Sequence, residues 1–161
     1  MHDIVINNER IGRLLATCAD IPWFDGMATI ARVRDKEILG GVLFTDYTGS
    51  SICIHVHAFD KRWINKDMLW VTFHYPFIQL GVTTLFGKVE AANKHALDFD
   101  LKLGFKEVAI IPDVFPSGAM VVLSMCRHSC RWLSLTPKHL RAGNGVYRGT
   151  EAGAGALPGA E

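Results

Sequence analysis

His55 and His57 stand two residues apart in the run Ser51 to Phe59. As a strand, that run carries Cys53, His55, His57 and Phe59 on one face and Ile54, Val56 and Ala58 on the other. An imidazole of ordinary pKa, about 6.5, exchanges protons near neutrality, so both histidines are candidate proton acceptors. Glu90, in the apolar run Leu85 to Ala91, is the second candidate base, and Asp46, at the end of an earlier run, a weaker third. The same His-x-His spacing can hold a metal if Asp60 or Glu90 completes the set, which is the chemistry of a metal-assisted hydrolase. Two histidines partnered as plain polar residues on a strand fit the spacing equally well.

A second kind of chemistry sits in Asp60-Lys61-Arg62-Trp63-Ile64-Asn65-Lys66-Asp67. Here a strand gives way to a helix, and the free amides of a helix N-terminus attract phosphate. Lys61, Arg62 and Lys66 add cations at that point, although a solvated basic turn has the same composition. Cys126-x-His128-x-Cys130 is compatible with zinc only with a fourth ligand such as His139; a buried thiol beside a basic surface segment is the plainer account. Trp63, Trp70, Phe73, Tyr75 and Phe77 could stack on bases beside Arg62 and Lys66, but helical spacing assigns most of them to a core. The cluster Arg127, His128, Arg131 and Trp132 could dock an acidic partner or simply end a strand in solvent.

These residues must be placed by ordered elements. Asn7-Asn8 can cap a helix over Glu9 to Cys18 with Ile11, Leu14, Leu15 and Cys18 on its apolar face. Ala28 to Val33, Ile38 to Thr45 and Ser51 to Phe59 follow as strands of an antiparallel meander, divided by Arg34-Asp35-Lys36 and Tyr47-Thr48-Gly49-Ser50. Asn65 to Leu80 is expected as a helix disturbed near Pro76, and Leu85 to Ala91 as a strand. Asn93 then caps Lys94 to Leu103, whose apolar side is Ala96, Leu97, Leu101 and Leu103, and Gly104 stops it. Glu107 to Ile111 and Met120 to Met125 are strands around the Pro112 to Gly118 loop. The expected fold class is α+β: an α/β sandwich on a mixed sheet, with an antiparallel N-terminal meander and then a parallel strand pair joined by a helical crossover.

Composition bounds the partners. The chain has 161 residues, 49% of them hydrophobic and 20% charged, which suits one globular domain. With 17 Lys and Arg against 16 Asp and Glu, the net charge of +1 supplies no general field for nucleic acid or an anionic membrane. The uncharged stretch Met68 to Gly87 is interrupted by His74, Pro76, Gln79 and Gly81, so it is expected as helix plus buried strand and not as a membrane span. The N-terminus lacks the layout of a signal peptide, and the four cysteines are expected as reduced cytoplasmic thiols. From Ala142 onward Gly and Ala fill 11 of 20 positions. The expected division is one domain over 1–135 and a flexible Gly/Ala-rich tail over 136–161.

The stretch Asn93-Lys-His-Ala-Leu-Asp-Phe-Asp-Leu-Lys-Leu-Gly-Phe105, within this element order, resembles the second half of the fold of the GNAT superfamily of N-acetyltransferases. The resemblance extends over roughly residues 27 to 126. Met125-Cys126-Arg127, Cys130-Arg131-Trp132-Leu133, Tyr75-Pro76-Phe77 and Gln79-Leu80-Gly81 are similar to small acetyltransferase-like proteins of tailed bacteriophages. That likeness implies a bacterial host cytoplasm.

The family resemblance implies acetyl transfer from acetyl-CoA, as co-substrate, to an amine acceptor, protein or small molecule, with no metal and with a homodimer left open. It implies a pantetheine arm pairing with backbone of His57, Ala58 and Phe59 between two splayed strands, with Leu85 to Glu90 opposite. Asn93 matches the family Asn at the cysteamine end, a role that coexists with helix capping. Arg62 matches the leading residue of the pyrophosphate turn, and Asn65 and Lys66 lie in it, but Asn65 and Asp67 occupy the family's glycine places. His55, His57 and Glu90 are the candidates to accept the amine proton. The family's Tyr acid, four residues before the glycine, is replaced by Asp100, which is ionised near neutrality unless it is strongly desolvated. These departures leave open an inactive interaction or assembly module with the same fold.

Overall fold

Tight turns drive the first half of the chain into a meander. Among the described residues, 2–138 of a computed structural model, β1 (His2–Ile6), β2 (Ala28–Arg34), β3 (Glu37–Thr45) and β4 (Ser51–Ala58) pair antiparallel in that order. Asp35 and Lys36 link β2 to β3 with φ of 48° and 73°, the left-handed pair that matches a two-residue hairpin to strand twist. Helix α1 (Glu9–Cys18) lies between β1 and β2 in the chain and starts where Asn8 accepts the Ile11 amide at 3.1 Å. The strand β1 was not expected. It is only five residues long, and its pairing with β2 holds it in the sheet.

After β4 a 3-10 turn, Lys61–Trp63, leads into α2 (Lys66–His74), whose cap is Asn65 accepting from Met68 at 2.8 Å. Pro76 cannot donate to a helical ladder, and the chain widens there into a π turn, Tyr75–Gln79, in which Leu80 donates to the Tyr75 carbonyl at 3.0 Å. Then come β5 (Thr84–Glu90), α3 (Lys94–Leu103), β6 (Lys106–Phe115) and β7 (Gly118–Cys126). The seven strands run β1-β2-β3-β4-β5-β7-β6, and β4 with β5 is the parallel pair. This is the mixed sheet expected from the sequence. The Pro112 to Gly118 loop is shorter than expected, because β6 continues to Phe115 with an irregular register.

The main core, which includes Phe44, Ile52, Met68, Phe73, Phe77 and Leu85, lies under α2 and α3. A smaller one, Leu15, Ala16, Met27, Ala31 and Leu43, lies under α1. Two helix faces differ from expectation. On α1 the buried residues are Gly12, Leu15 and Ala16, while Leu14 and Cys18 are exposed. The cause is a close approach: a Cβ at Gly41 on β3 would lie 2.7 Å from Leu15 Cδ1 and 2.6 Å from the Ile30 carbonyl. On α3 no residue is fully buried, the helix standing over a cavity, and Leu101, which does not line that cavity, is exposed.

No helix of the described residues is long and apolar enough to cross a membrane; Met68 to Gly87 divides into α2, the π turn and part of β5. His139 and the tail from 139 to 161 lie outside the described residues. Substituting Gly41→Ala forces α1 and β2 off their contact and is expected to cost about 1–3 kcal/mol. Urea unfolding checks this as a lower midpoint with an unchanged slope.

Candidate functional site

Parallel pairing between β4 and β5 covers only Ser51 with Thr84, Ile52 with Leu85 and Cys53 with Phe86. Beyond it β4 stays on β3 as far as Ala58, and β5 stays on β7 as far as Glu90, so the two strands part. Gly87, the first β5 residue past the pairing, adds no side chain to the gap, and an added Cβ would stand 3.8 Å from the Ile54 carbonyl. A cavity of about 550 Å³ occupies the gap. It lies at the carboxyl ends of the parallel strands, where open mixed sheets present their ligand crevices.

Register assigns the two faces of this slot. Gly41, which α1 covers, is opposite His57, and Cys53 is level with Phe86. His55, His57, Lys88 and Glu90 therefore share the α1 face. Ile54, Val56 and Val89 face α2 and α3 with the main core. Both faces line the one cavity, which runs from Cys18 and Asp20 at the end of α1 through the sheet to Asn93, Phe99 and Asp100 on α3.

The candidate bases differ in environment. His55 Nε2 is 2.7 Å from the Thr45 hydroxyl, and burial, assisted by the Lys88 cation, pushes its pKa down to about 4. It is neutral at pH 7 and a poor proton acceptor. His57 stacks edge-on against Phe59, with ring centres 4.8 Å apart. Glu90 accepts a hydrogen bond from Ser117 in the β6–β7 turn. Asp46 is held by Lys88 at 2.9 Å. Alternation along β5 past Glu90 was the signal for Lys88, which the sequence reading missed.

Of the expected cofactor residues, His57, Ala58 and Asn93 line the cavity, and Asn93 also caps α3 through the Ala96 amide at 3.1 Å. Phe59 is exposed beside His57 and does not line it. Arg62, Asn65 and Lys66 lie past the cavity wall formed by Trp63 and Ile64, at the start of α2. Asn65 caps α2 by accepting the Met68 amide at 2.8 Å. Asp67 stands at a glycine place of the family pattern, yet its side chain is buried: it accepts the Lys138 amide at 2.6 Å, and its charge offsets that of buried Arg32. Arg62 is committed too. Asp60 accepts its Nε at 2.9 Å and its Nη2 as well, and this pairing holds the Asp60 pKa far below the usual carboxylate range.

Asp100 lines the slot from α3, and desolvation raises its pKa to about 6. Among the described residues no three His, Cys, Asp or Glu side chains come together to hold a metal, neither at His55 and His57 nor at Cys126, His128 and Cys130.

No family model matches the chain, and no curated protein matches it in sequence. Solved structures match in fold. The spermidine/spermine N-acetyltransferase SpeG of Vibrio cholerae aligns with a TM-score of 0.64 at 9% identity, covering 80% of this chain and 96% of that one. Campylobacter jejuni N-acetyltransferase PseH, solved with acetyl coenzyme A, aligns at 0.54 and 15% identity over 78% of this chain and 99% of its own. A GNAT-family acetyltransferase from Bacillus anthracis aligns at 0.52 and 12% identity, over 64% and 67%. The architecture is that of the GNAT fold.

The His55 environment has a pH consequence. Its folded pKa lies below its unfolded value, so between about pH 6.5 and 4 the unfolded chain takes up a proton that the native chain refuses, and stability falls as pH falls. His55→Gln removes this loss. Relative to wild type, its unfolding free energy is expected to rise by about 1–2 kcal/mol from pH 7.5 to pH 4.5, after allowance for partial exposure, as read by urea titration at both pH values.

Proposed function

We propose that the chain is an N-acyltransferase that moves acetyl from acetyl-CoA to an amine by direct attack in a ternary complex. The observation that carries this reading is the parting of β4 from β5 after Cys53 and Phe86, which leaves two strand edges and a cavity of about 550 Å³ between them. Unpaired strand edges need hydrogen-bond partners, and a pantetheine arm with its two amides supplies them. In this reading the backbone of His57, Ala58 and Phe59 takes the arm, and Asn93 takes its cysteamine end. The diphosphate sits at the α2 N-terminus with Arg62, Asn65 and Lys66.

The arriving amine must lose a proton before or during attack, and His57 or Glu90 accepts it from the α1 face. His55, with its pKa pushed down to about 4, stays in the set only as a neutral hydrogen-bonding group. PseH, solved with acetyl coenzyme A, and SpeG, a spermidine/spermine N-acetyltransferase, support the donor and the acceptor class by analogy of fold. Residence in a bacterial host cytoplasm, phage origin, a single domain over 1–135 and a homodimer belong to the same proposal and rest on the sequence.

One observation favours a second reading, a non-catalytic interaction or assembly module: Asp60 holds the guanidinium that the diphosphate would need. Calorimetric titration decides between the two. Acetyl-CoA is expected to bind with a Kd between about 1 μM and 1 mM. Asp60→Asn keeps an oxygen for the Arg62 amide but frees the guanidinium and removes a negative charge, so binding is expected to tighten by about 3–10-fold, with the gain shrinking at high salt. If neither protein binds at millimolar ligand, the module reading takes its place.

A further inference from the structure

Ring contacts and register give depth within the slot, which is open toward Ala58 and closed at Cys53, where the parallel pairing stops. At the open end, a Cβ on Gly40, the partner of Ala58, would lie 2.9 Å from both Trp63 and the His57 carbonyl, and Trp63 meets Phe99 of α3 with ring centres 6.1 Å apart. At the closed end, Tyr75 meets Phe44, whose partner on β4 is Ile54, the first residue past the pairing. Phe73 lies beside Phe105 there, with ring centres 6.3 Å apart. Helices α2 and α3 therefore both run inward from the mouth. Along the slot, α3 rises by about 15 Å from Asn93 to Leu103.

A cysteamine end held at Asn93 leaves its sulfur near the mouth. An extended chain advances about 1.2 Å per bond, so an acetyl group ends within about 3 Å of that sulfur and the inner slot lies beyond it. On the α2 and α3 face the inner walls are Val42, Ile54, Phe73, Leu103 and Phe105, all apolar, with Thr72 and Asp100 as the polar side chains among them. Thr72, near the end of α2, is 4% exposed, and its hydroxyl has no hydrogen-bond partner among the described residues. An unbonded buried hydroxyl costs stability that a valine of the same shape does not. Helical threonine has two rotamers open to it, so hydroxyl and methyl can exchange places against the slot.

We propose that the donor's acyl group is longer than acetyl, about six carbons, and carries a hydroxyl toward its far end that bonds Thr72. The inference rests on the transferase reading above and changes only the group that is transferred. Six carbons and a terminal oxygen reach about 8 Å past the sulfur, against about 9 Å of rise along α2 from Lys66 to Thr72. Apolar walls take the chain, and Thr72 donates to its hydroxyl. At the thioester the amine nitrogen bonds to the carbonyl carbon, and the C–S bond breaks with its electron pair on sulfur. The proton lost by nitrogen passes through His57 or Glu90 and solvent to sulfur, so the products are the hydroxyacyl amide and coenzyme A thiol.

The test needs no acceptor. Calorimetric titration of the whole chain compares acetyl-CoA, hexanoyl-CoA and 6-hydroxyhexanoyl-CoA. Hexanoyl-CoA is expected to bind at least as tightly as acetyl-CoA, because its added carbons leave water for apolar walls, and the hydroxyl to tighten binding by a further factor of about 5–20. In Thr72→Val the two six-carbon compounds are expected to bind within about twofold of each other, and in Thr72→Ser most of the difference is kept. Their ratio is measured within each variant, so a general disturbance of the slot does not imitate the result. Hexanoyl-CoA binding more than about tenfold weaker than acetyl-CoA, a ratio near one in the wild type, or a ratio unchanged in Thr72→Val overturns the proposal and leaves the transferase reading standing. If none of the compounds binds at millimolar concentration, the transferase reading fails and the proposal falls with it.

Discussion

Three parallel residue pairs join the two halves of this sheet, and the rest of the molecule follows from how few they are. On one side β1 to β4 form a complete antiparallel ladder; on the other β5, β7 and β6 form a second. Each half is held by its own hydrogen bonds and its own twist, so neither can follow the other beyond Cys53 and Phe86. The two strand edges part there and a cavity opens between them, so α3 buries no residue completely: the helix roofs a space instead of a packed sheet.

Charge is managed pair by pair around this slot. Asp60 with Arg62, Asp46 with Lys88, and buried Asp67 with Arg32 each bring opposite charges together, in keeping with a net charge of only +1. A carboxylate on the first turn of a helix would repel an anion placed there, but the Asp67 side chain is buried, where it accepts the Lys138 amide and offsets the charge of Arg32. Asp100 is the exception, a carboxyl in the slot without a countercharge, and desolvation raises its pKa to about 6.

Much of this was legible beforehand. The Asp35-Lys36 turn, the Asn8 and Asn93 caps and the Gly104 stop are local signals, and each appears where its residue type demands. The joint placement of His55 and His57 on one face follows from strand alternation alone. What could not be read was which neighbour each face would meet. The apolar stripe of α1 turned toward Gly12 and Ala16 because Gly41, distant in sequence, lets the helix approach. The strand β1 is held by its pairing with β2, so five residues viewed alone did not announce it.

The sequence by itself determined the order of elements from α1 onward, the mixed sheet and the residues available for chemistry, because capping, turn geometry and alternation act over a few neighbouring positions. Only the tertiary structure decided what those residues can do. His55 and Asp100 left their ordinary pKa values in opposite directions, to about 4 and about 6, through the same cause, burial against groups far away in the chain. Desolvation depends on what surrounds a side chain in three dimensions, and it disfavours whichever form is charged: the protonated imidazole in one case and the ionised carboxylate in the other. No spacing rule along the chain carries that information.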